Sequence, residues 1–274
     1  MLYLAVDGGG TGCRAAVADR AGQILGKGSS GPANILSDPD GALANILSAC
    51  DQALAQAMAR RGDVVVVLGL AGANVPGAVA RLRAGLPFAA RIEADGLTAL
   101  KGAHHDDDGI VATLGTGSVF FGQRSGQVRT VGGWGLVLGD EGSGAWLGRA
   151  ALAGLVQAAD GFAALTPFLA DLAADYGGAP GAVAFAGTAS PSDFAAIAPR
   201  VVAAQDDPAA TAILVAGAAL VARAVDQLQT RPAVPVAFLG GLGAVYAQRL
   251  AGRWPVRLPY GTALDGALWL ARAA

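Results

Sequence analysis

Two glycine-rich turns, each between two short apolar runs, limit the fold of this chain more than any other sequence feature. The first, "DGGGTG" (residues 7–12), joins residues 2–6 to residues 13–19. The second, "LGTGS" (residues 114–118), joins residues 110–114 to residues 118–122. Apolar runs on both sides of a glycine turn are typical of paired strands. A third strand-like run follows each pair, at residues 23–26 and 127–131. This repeated order predicts two strand triplets and favours a structural duplication.

The segments after each triplet alternate between helical and strand-like patterns, which predicts an α/β fold with mixed sheets. In the first half, the pattern predicts helices at 39–61 (with Asp38 as N-cap), 77–84 and 97–103, and strands at 64–70 and 89–94. In the second half, it predicts helices over 142–229 with Asp193 and Asp207 as N-caps, a strand at 234–239, and helices to 253 and over 263–273. We expect one domain at residues 1–105, joined by the C-terminal helix 262–274, and a second domain at residues 106–261.

Composition excludes several classes of protein. The 274 residues are 53% hydrophobic and 15% charged with a net charge of −2, so no basic surface for nucleic acid is expected. Cys13 and Cys50 lie far apart along the chain, which excludes a CxxC metal site and fits a reducing compartment. The apolar N-terminal run has no basic flank, and apolar residues 209–222 are shorter than the ~20 residues of a membrane span. We therefore expect a cytoplasmic protein with neither a nucleic acid nor a membrane as partner.

The first turn offers chemistry that a hairpin does not need. Gly9 and Gly10 let backbone N–H groups approach an anion closely, and Thr11 adds a hydroxyl donor. Asp7 is a carboxylate of the kind that holds hydrated Mg²⁺. The alternative is a plain hairpin turn, for which two glycines suffice. The chain contains no GxxxxGK[ST] sequence, and a strand instead of a helix follows this turn, so neither a P-loop nor a Rossmann fingerprint is predicted.

Two further turns extend this pattern. The second turn sets the hydroxyls of Thr116 and Ser118 among Gly115 and Gly117. Alone it would be interpreted as an ordinary turn, but paired with the first turn it predicts a second phosphate cradle that closes on the same polyphosphate from the other domain. A third turn, "GGLG" (residues 240–243), lies between a strand and a helix, where its flat backbone favours contact with an adenine or ribose. A simple strand-to-helix turn is the alternative there.

Acidic residues supply two candidates for a general base. Asp95 lies between a predicted strand and a predicted helix, where an acid can accept the proton of an attacking hydroxyl. Asp140 and Glu141 form a rival pair. Each candidate has a structural alternative as a helix N-cap. The run "HHDDD" (residues 104–108) is interpreted as a solvated loop instead of a metal site, and Trp146 as a core residue.

Five segments together resemble the bacterial N-acetylglucosamine and glucosamine kinases, which are BadF/BadG/BcrA/BcrD-type ATPases of the actin-like, hexokinase-like sugar kinase superfamily. They are "DGGGTGCRA" (7–15), "GPAN" (31–34), "LGTGS" (114–118), "GGWGLVLGDEGSGAWLG" (132–148) and "FLGGLGA" (238–244). The resemblance covers nearly the whole chain. It implies two actin-like (ribonuclease H-like) lobes, each with a mixed five-stranded sheet and flanking helices, and a cleft between them.

The resemblance also implies roles for individual residues. It makes Asp95 the catalytic base and Asp7 the Mg²⁺ ligand. ATP would be bound by Asp7, Gly9, Gly10, Thr11, Gly115, Thr116, Gly117, Gly240 and Gly241. The sugar would be bound by Asn34, Asp95, Ser118, Gly133, Trp134, Gly135 and Asp140. Alanine-rich residues 160–230 match no motif, so no nucleotide contact is predicted there.

The function implied is ATP- and Mg²⁺-dependent phosphorylation of the 6-hydroxyl of N-acetylglucosamine or glucosamine, with a small-molecule sugar as the partner. A homodimer is common in the superfamily and stays open here. Three alternatives remain: a kinase of a muramic-type sugar, an ATPase that activates 2-hydroxyacyl-CoA dehydratases, and a sugar-responsive regulator. The second needs a [4Fe–4S] cluster on cysteine thiolates, for which the two cysteines offer no suitable pair. The third needs a DNA-binding segment ahead of the first strand.

Overall fold

Each predicted strand triplet forms one side of a β-sheet in the computed structural model, which describes residues 1–273. The first sheet has five strands in the order β3-β2-β1-β4-β5. They are β1 (Leu2–Gly8), β2 (Cys13–Ala18), β3 (Ile24–Ser30), β4 (Val64–Leu70) and β5 (Arg91–Ala94). β1 pairs antiparallel with β2 and parallel with β4, and β4 pairs parallel with β5. The sheet is mixed, as predicted.

The second sheet repeats this arrangement with four strands, in the order β8-β7-β6-β9. They are β6 (Gly109–Leu114), β7 (Ser118–Arg124), β8 (Gln127–Gly132) and β9 (Val236–Leu239). β6 and β9 are parallel, as β1 and β4 are. Five strands were expected here. Among the described residues the position beside β9 is taken by Val256, which makes a single parallel bridge to Val236 and no strand.

Helices occupy the segments between and after the strands. They are α1 (Pro39–Gln56), α2 (Pro76–Gly85), α3 (Asp95–His104), α4 (Gly144–Ala159), α5 (Pro167–Tyr176), α6 (Gly178–Ala186), α7 (Pro191–Ala195), α8 (Ala198–Ala203), α9 (Pro208–Asp226), α10 (Gly243–Arg249) and α11 (Ala263–Arg272). A 3₁₀ turn at Arg61–Asp63 precedes β4. The mixed α/β fold class predicted from the sequence is confirmed.

The chain divides into two compact units. Unit 1 comprises Met1–Gly109, Gln123–Gln127 and Leu258–Ala274, and unit 2 comprises Ile110–Gly122 and Val128–Arg257. The chain passes between the units close to the domain limits expected at residues 105 and 261, and unit 1 also takes the short segment that joins β7 to β8.

Unit 1 has apolar side chains on both faces of its sheet. One face packs on α1 and α2 through a cluster that includes Leu4, Leu68 and Ile46. The other face packs on α11 through Tyr3, Val67 and four residues of that helix. Because both faces are covered, β4 is apolar along its whole length, as strands inside an α/β layer are.

Unit 2 is built around α4 and α9. Helix α9 is 19 residues long and apolar enough to cross a membrane by length and composition, and it is the one helix of that kind among residues 1–273. One face of it is buried in the core of unit 2, at Ala210, Leu214, Gly217, Ala218, Val221, Ala222 and Val225. This packing agrees with the interpretation of residues 209–222 as a core helix.

Three aspartates were predicted to be helix N-caps, and two of them are. The side chains of Asp38 and Asp207 accept hydrogen bonds from the first turns of α1 and α9, so both N-cap predictions are confirmed. The prediction for Asp193 is wrong, because Ser190 is the N-cap of α7 and Asp193 is the third helical residue. The two side chains form a capping box, in which the acid bonds back to the N-cap residue.

Candidate active site

The carboxyl ends of three parallel strands in unit 1 bring two predicted acids to one edge of the sheet. Asp7 is the second-last residue of β1, and Asp95 directly follows β5. The carboxylate of Asp7 lies near enough to Asp95 to raise the pKa of that residue. Ligands of open α/β sheets bind beyond the carboxyl ends of the strands. Both acids therefore lie where a substrate would bind.

The surroundings of Asp95 make it a stronger proton acceptor than an ordinary carboxylate. Burial is the main cause that raises its pKa above the ordinary value of 3.8, and the charge of Asp7 adds to it. A hydrogen bond from the Gly96 N–H to Asp95 Oδ1, 2.8 Å long, opposes the rise. The N-cap of α3 is Ala94, and Asp95 is the first helical residue, so the N-cap alternative is wrong.

The start of α3 is fixed by a buried threonine. Thr98 Oγ1 donates to the carbonyl of Asp95 at 2.9 Å. The Thr98 side chain is fully buried against Gly69 of β4, where an added Cβ would overlap with Thr98 Oγ1. The small residue in β4 therefore allows α3 to lie close to the sheet, and the helix start holds Asp95 in place.

The turn between β1 and β2 has one glycine that packing requires and two that it does not. A Cβ at Gly8 would lie 2.7 Å from Leu70 Cδ2. A Cβ at Gly9 or Gly10 would meet nothing within 4 Å, and neither residue has a positive φ. The space over these two glycines lets a ligand approach the backbone of the turn closely, although the Gly9 N–H itself donates to the Gly12 carbonyl at 2.9 Å. The structure thus brings Asp7, Gly9, Gly10 and the exposed Thr11 together at one turn.

Asp7 suits a magnesium ion that is shared with phosphate. Its Oδ2 accepts a hydrogen bond from Arg14 Nη2 at 2.6 Å, and its side chain is 13% exposed. Mg²⁺ is usually held by one or two carboxylates together with water and substrate phosphates. Within residues 1–273, no three His, Cys, Asp or Glu side chains are grouped to hold a metal ion. The residues present therefore fit Mg²⁺ that arrives with a nucleotide.

Asn34 lies in the same unit, in the loop after β3. Its Oδ1 accepts hydrogen bonds from the N–H groups of Leu36 and Ser37 at 3.0 and 3.2 Å. A Cβ at Gly72, which has a φ of +87°, would lie 2.9 Å from the same oxygen. These contacts fix the side chain, so the amide Nδ2 is the group of Asn34 that can donate to a ligand.

The second glycine turn, in unit 2, is held by the start of α4. The carbonyls of Gly115 and Thr116 accept hydrogen bonds from the first two N–H groups of that helix, at 2.8 and 3.1 Å. A Cβ at Gly115 would meet nothing within 4 Å, as at Gly9 and Gly10. Thr116 is exposed. This turn therefore also presents open backbone and a hydroxyl.

Gly117 is required for a different reason, because Asp140 lies against it. A Cβ at Gly117 would lie 2.7 Å from Asp140 Oδ2. Burial raises the pKa of Asp140, and hydrogen bonds from the backbone N–H groups of Ser118 and Gly135 oppose that rise. Asp140 has a φ of +57°, a conformation that costs about 1–3 kcal/mol in a residue other than glycine. Ser143 is the N-cap of α4, so the N-cap alternative for Asp140 and Glu141 is wrong.

The segment that precedes Asp140 is an exposed loop with glycine conformations. Gly133 and Gly135 have φ values of +78° and +80°, which other residues rarely adopt. Trp134 between them is 75% exposed. Ser118 is buried, and its hydroxyl donates to the Glu141 carbonyl at 2.9 Å, so its side chain ties this loop to β7. Trp146 packs against the core of unit 2, as predicted.

A cavity of about 500 Å³ lies beside the second turn, and some of the residues that line it belong to none of the sequence motifs. Gly115, Thr116 and Gly241 line it on one side. The other walls are residues of α8 and α10 and a few neighbours, chiefly Ala198, Pro199, Val202, Ala203, Leu242 and Val245. Sequence analysis missed the α8 residues because alanine, proline and valine carry no recognisable chemistry.

The third turn forms part of this cavity and packs on the second turn. Gly240 has a φ of +84°, and an added Cβ there would overlap with the Leu114 carbonyl. The Leu242 N–H donates to the same carbonyl at 3.0 Å. Gly241 itself faces open space. The structure therefore brings the second and third turns together, and three of the predicted ATP residues of unit 2, Gly115, Thr116 and Gly241, line one cavity.

A larger cavity of about 860 Å³ lies beside Trp134 and Gly135, between the 133–139 loop and helices α4 and α6. Its walls are mostly apolar, and Arg149 is the one charged residue that lines it in the described chain. Arg149 Nη1 donates to the Leu136 carbonyl at 3.2 Å, which ties the loop to α4.

The "HHDDD" run is only partly solvated. His104 is the last residue of α3 and is fully buried, so its assignment to a solvated loop is wrong. The ring of His105 stacks on Trp269 of α11 at a centroid distance of 4.0 Å. Asp106 pairs with Lys101 at 2.8 Å and is exposed. The tight packing of α3 on α11 explains why His104 is buried and His105 is half-buried.

Both cysteines are buried in the core of unit 1. Cys13 is 1% and Cys50 0% exposed. Burial is the main cause that raises each thiol pKa from 9.0 to about 12. Neither thiol therefore offers an accessible thiolate for an iron–sulfur cluster.

Comparison with known proteins gives a consistent family. The sequence model of the BadF/BadG/BcrA/BcrD ATPase family matches residues 4–249. The chain is 31% identical over 281 residues to the glucosamine kinase GspK of Vibrio cholerae serotype O1, a match that covers 98% of this chain and 95% of the relative.

Solved structures agree with this match. A Chromobacterium violaceum protein assigned as an N-acetylglucosamine kinase superposes with a TM-score of 0.88 at 32% identity, over 98% of both chains. A ROK-family glucokinase of Streptomyces griseus, solved with glucose and AMPPNP, superposes with a TM-score of 0.58 at 19% identity over both whole chains, which shows a shared fold.

Proposed function

The chain belongs to the BadF/BadG/BcrA/BcrD ATPase family, and on that premise we propose that it is an ATP-dependent amino-sugar kinase. The reaction transfers the γ-phosphoryl group of ATP to the 6-hydroxyl of glucosamine or N-acetylglucosamine. The bond between the γ-phosphorus and the bridging oxygen breaks, a bond to the sugar O6 forms, and ADP leaves. The hydroxyl proton passes to a base of the protein.

The observation that carries this proposal is the position and the raised pKa of Asp95. Asp95 directly follows β5 at the edge of the sheet beyond which ligands of α/β proteins bind. It is the first residue of α3, and Thr98 fixes the start of that helix. A carboxylate with a raised pKa accepts the proton of an attacking hydroxyl more readily, which typically contributes ~10²–10⁴-fold to the rate. Asp140 also has a raised pKa, but it lies against Gly117 and accepts hydrogen bonds from the backbone N–H groups of Ser118 and Gly135, which fix its carboxyl group in place. We assign it hydrogen bonds to sugar hydroxyls.

The two open turns are assigned to the phosphates. Gly9, Gly10 and Gly115 leave open space beside the backbone of these turns, in which the N–H groups of Gly9 and Gly115 donate to the carbonyls of Gly12 and Gly117 at 2.9 and 3.0 Å. Thr11 and Thr116 add exposed hydroxyl donors. Asp7 would hold Mg²⁺, which when bound neutralises phosphate charge. The adenosine would lie in the 500 Å³ cavity beside Gly240 and Gly241.

Sugar contacts are assigned in each unit separately. In unit 1 the Asn34 amide donates to a hydroxyl beside Asp95. In unit 2 the backbone of Gly133, Trp134 and Gly135 and the Asp140 carboxylate bind hydroxyls, and Ser118 holds their loop in place. The glucosamine kinase and the N-acetylglucosamine kinase among the relatives support an amino sugar as the acceptor.

An acceptor panel tests the proposal. ADP release is measured with glucosamine, N-acetylglucosamine, N-acetylmuramic acid, glucose and no sugar, and the phosphorylated carbon is identified by phosphorus–proton NMR. We expect sugar-dependent turnover with at least one of the first two and a product phosphorylated at O6. Turnover that does not depend on any sugar, or a product phosphorylated at C1, would contradict the proposal.

A further inference from the structure

The cavity assigned to adenosine has almost no side chain that can form a hydrogen bond. Thr116 is the single lining residue of this kind in the described chain, and it lies at the phosphate turn. The walls beyond the turn are alanine, proline, valine and leucine side chains of α8 and α10. A base between these helices would therefore contact apolar groups on both faces.

Backbone groups around the cavity are also largely engaged within the protein. The N–H of Leu242 donates to the Leu114 carbonyl at 3.0 Å, and that of Gly243 donates to Gly240 at 3.0 Å. The N–H of Gly144 donates to Gly115 at 2.8 Å. These donors are not available to read the edge of a base.

Two polar side chains lie just outside the cavity and pair with each other. Arg249 Nη2, one turn after Val245, donates to Gln205 Oε1 at 3.4 Å. Gln205 is exposed, so water competes for its amide. Neither side chain lines the cavity, so neither presents a fixed pattern of donors and acceptors to a base within it.

We infer that this kinase distinguishes poorly between purine bases, so that GTP and ITP serve as phosphoryl donors beside ATP. The inference rests on the proposed function and concerns its donor site. An apolar pocket cannot strongly reject a ligand that exchanges one polar substituent for another, whereas a site built on hydrogen bonds rejects a mismatched ligand by about 10⁴–10⁵-fold. Pyrimidines, which are smaller and cover less of the two apolar walls, are weaker donors than any purine.

The test compares donors in two ways. kcat/KM with glucosamine or N-acetylglucosamine is measured for ATP, GTP, ITP and UTP, and the affinity of each nucleotide is measured by calorimetry with Mg²⁺ and without sugar. We expect GTP and ITP to lie within about 10²-fold of ATP in both measurements. A preference for ATP above that ratio in the calorimetry overturns the inference.

The two readouts separate this inference from the proposed function. If the purine nucleotides bind with similar affinity but no sugar is phosphorylated, the kinase proposal fails and the inference stands. If only ATP binds and a sugar is phosphorylated, the inference fails and the kinase proposal stands. If no nucleotide binds, both fail.

Variants of the cavity walls localise the effect. Ala203→Phe, at an exposed position of α8, narrows the cavity and should raise the KM of ATP and GTP by a similar factor. Ala174→Phe, at an exposed position of α5 outside the cavity, is the matched control and should leave both KM values unchanged. Gln205→Ala should not change the ratio of ATP to GTP. A ratio that changes more than tenfold in Gln205→Ala would assign base recognition to that side chain and overturn the inference.

Discussion

Two aspartates of the proposed active site, Asp95 and Asp140, differ in what surrounds their carboxylates. Asp95 accepts hydrogen bonds from the N–H of Gly96 and from its own N–H, and it lies near the negative Asp7. Asp140 accepts from two backbone N–H groups and lies against Gly117. Both pKa values are raised, so position assigns the roles: we assign the proton to Asp95, which lies beside Asp7 at the edge of the sheet, and the orientation of a ligand to Asp140, which backbone N–H groups of two segments hold in place.

The variant Asp95→Asn separates a catalytic role from a structural one. Removal of the base should lower kcat by about 10²–10⁴-fold with the KM of ATP nearly unchanged. Stability should not fall, because the amide keeps an acceptor for the Gly96 N–H and removes a charge that burial disfavours. Steady-state kinetics and thermal unfolding measure the two effects. Glu93→Gln on β5 is the control and should keep normal turnover. A large drop in the Tm of Asp95→Asn would indicate a structural residue instead.

The raised pKa of Asp95 also predicts how pH acts on activity and stability. Protonated Asp95 cannot accept a proton, so kcat should fall as the pH falls through a pKa above 3.8. The folded state binds this proton more tightly than the unfolded state. The contribution of Asp95 to the free energy of unfolding therefore falls as the pH rises from 3.8 through the raised pKa. Below pH 3.8 both states are protonated, and this contribution no longer changes with pH. A pH series of kcat and of urea unfolding measures both, and Asp95→Asn should lack this residue's share of the stability change.

Open glycines permit a matched pair of variants. Gly10 and Gly77 both face open space with no positive φ, but Gly10 lies in the turn assigned to phosphate and Gly77 lies in α2. Gly10→Ala should raise the KM of ATP and leave the Tm unchanged, because the added methyl group meets ligand and not protein. Gly77→Ala should leave the KM unchanged and stabilise by up to about 1 kcal/mol. Equal KM values in the two variants would contradict the assignment of this turn.

Residues with distinctive chemistry were predictable from the sequence, and residues with none were not. The glycine turns, Asp7 and Asp95 carry donors, acceptors or backbone freedom at recognisable spacing. The α8 wall of the 500 Å³ cavity is made of Ala198, Pro199, Val202 and Ala203, which look like any alanine-rich helix in the sequence. Their role depends on where the chain folds, and the short-range pattern does not contain that information.

At the level of elements, the strand triplets were predictable because apolar runs and glycine turns are local signals. Helix ends were less predictable. Helix α1 was expected to reach residue 61 and ends at Gln56, where Met58 takes a φ of +51° and a 3₁₀ turn leads into β4. The fifth strand of the second sheet is reduced to one bridge at Val256, because pairing with β9 depends on tertiary contacts.

The packing of α3 on α11 depends on two glycines, and this makes a prediction at the element scale. A Cβ at Gly266 would overlap with the Thr98 carbonyl, and one at Gly102 would overlap with the Thr262 carbonyl. Gly266→Ala must push the helices apart, so it should destabilise by about 1–3 kcal/mol and, since α3 carries Asp95, also lower kcat. Urea unfolding and kinetics measure these effects.

The control for that variant is Gly154→Ala on α4, where the added methyl group makes an ordinary contact of 3.6 Å with Leu169. It should be neutral or stabilise by up to about 1 kcal/mol, since alanine favours a helix. If both variants have the same stability, Gly266 is not required for the close approach of α3 and α11.

At the scale of the whole molecule, unit 1 is assembled from both ends of the chain. Its first strand begins at Leu2, and its last helix ends at Arg272. One face of the five-stranded sheet is covered by Ala267, Leu268, Leu270 and Ala271 of that helix. The sheet that carries Asp7 and Asp95 is therefore incomplete until the C-terminal helix has docked. The capping box of Thr262 and Asp265 fixes where this helix begins.

Leu268→Ala tests how much the terminal helix stabilises the proposed site. Leu268 is 6% exposed in the cluster with Tyr3 and Val67, so the lost side chain should destabilise by about 2–5 kcal/mol. Leu258→Ala removes the same side chain at a position that is 86% exposed, and should change stability by less than about 0.5 kcal/mol. The loss of stability is measured by urea unfolding, followed by the fluorescence of Trp269, the one tryptophan of unit 1. Both variants are made in a background in which the other three tryptophans are replaced by phenylalanine, so that the signal reports on unit 1. Equal unfolding midpoints for the two leucine variants would mean that the stability of the sheet does not depend on α11. The C-terminal helix would then not be needed to hold Asp95 in place.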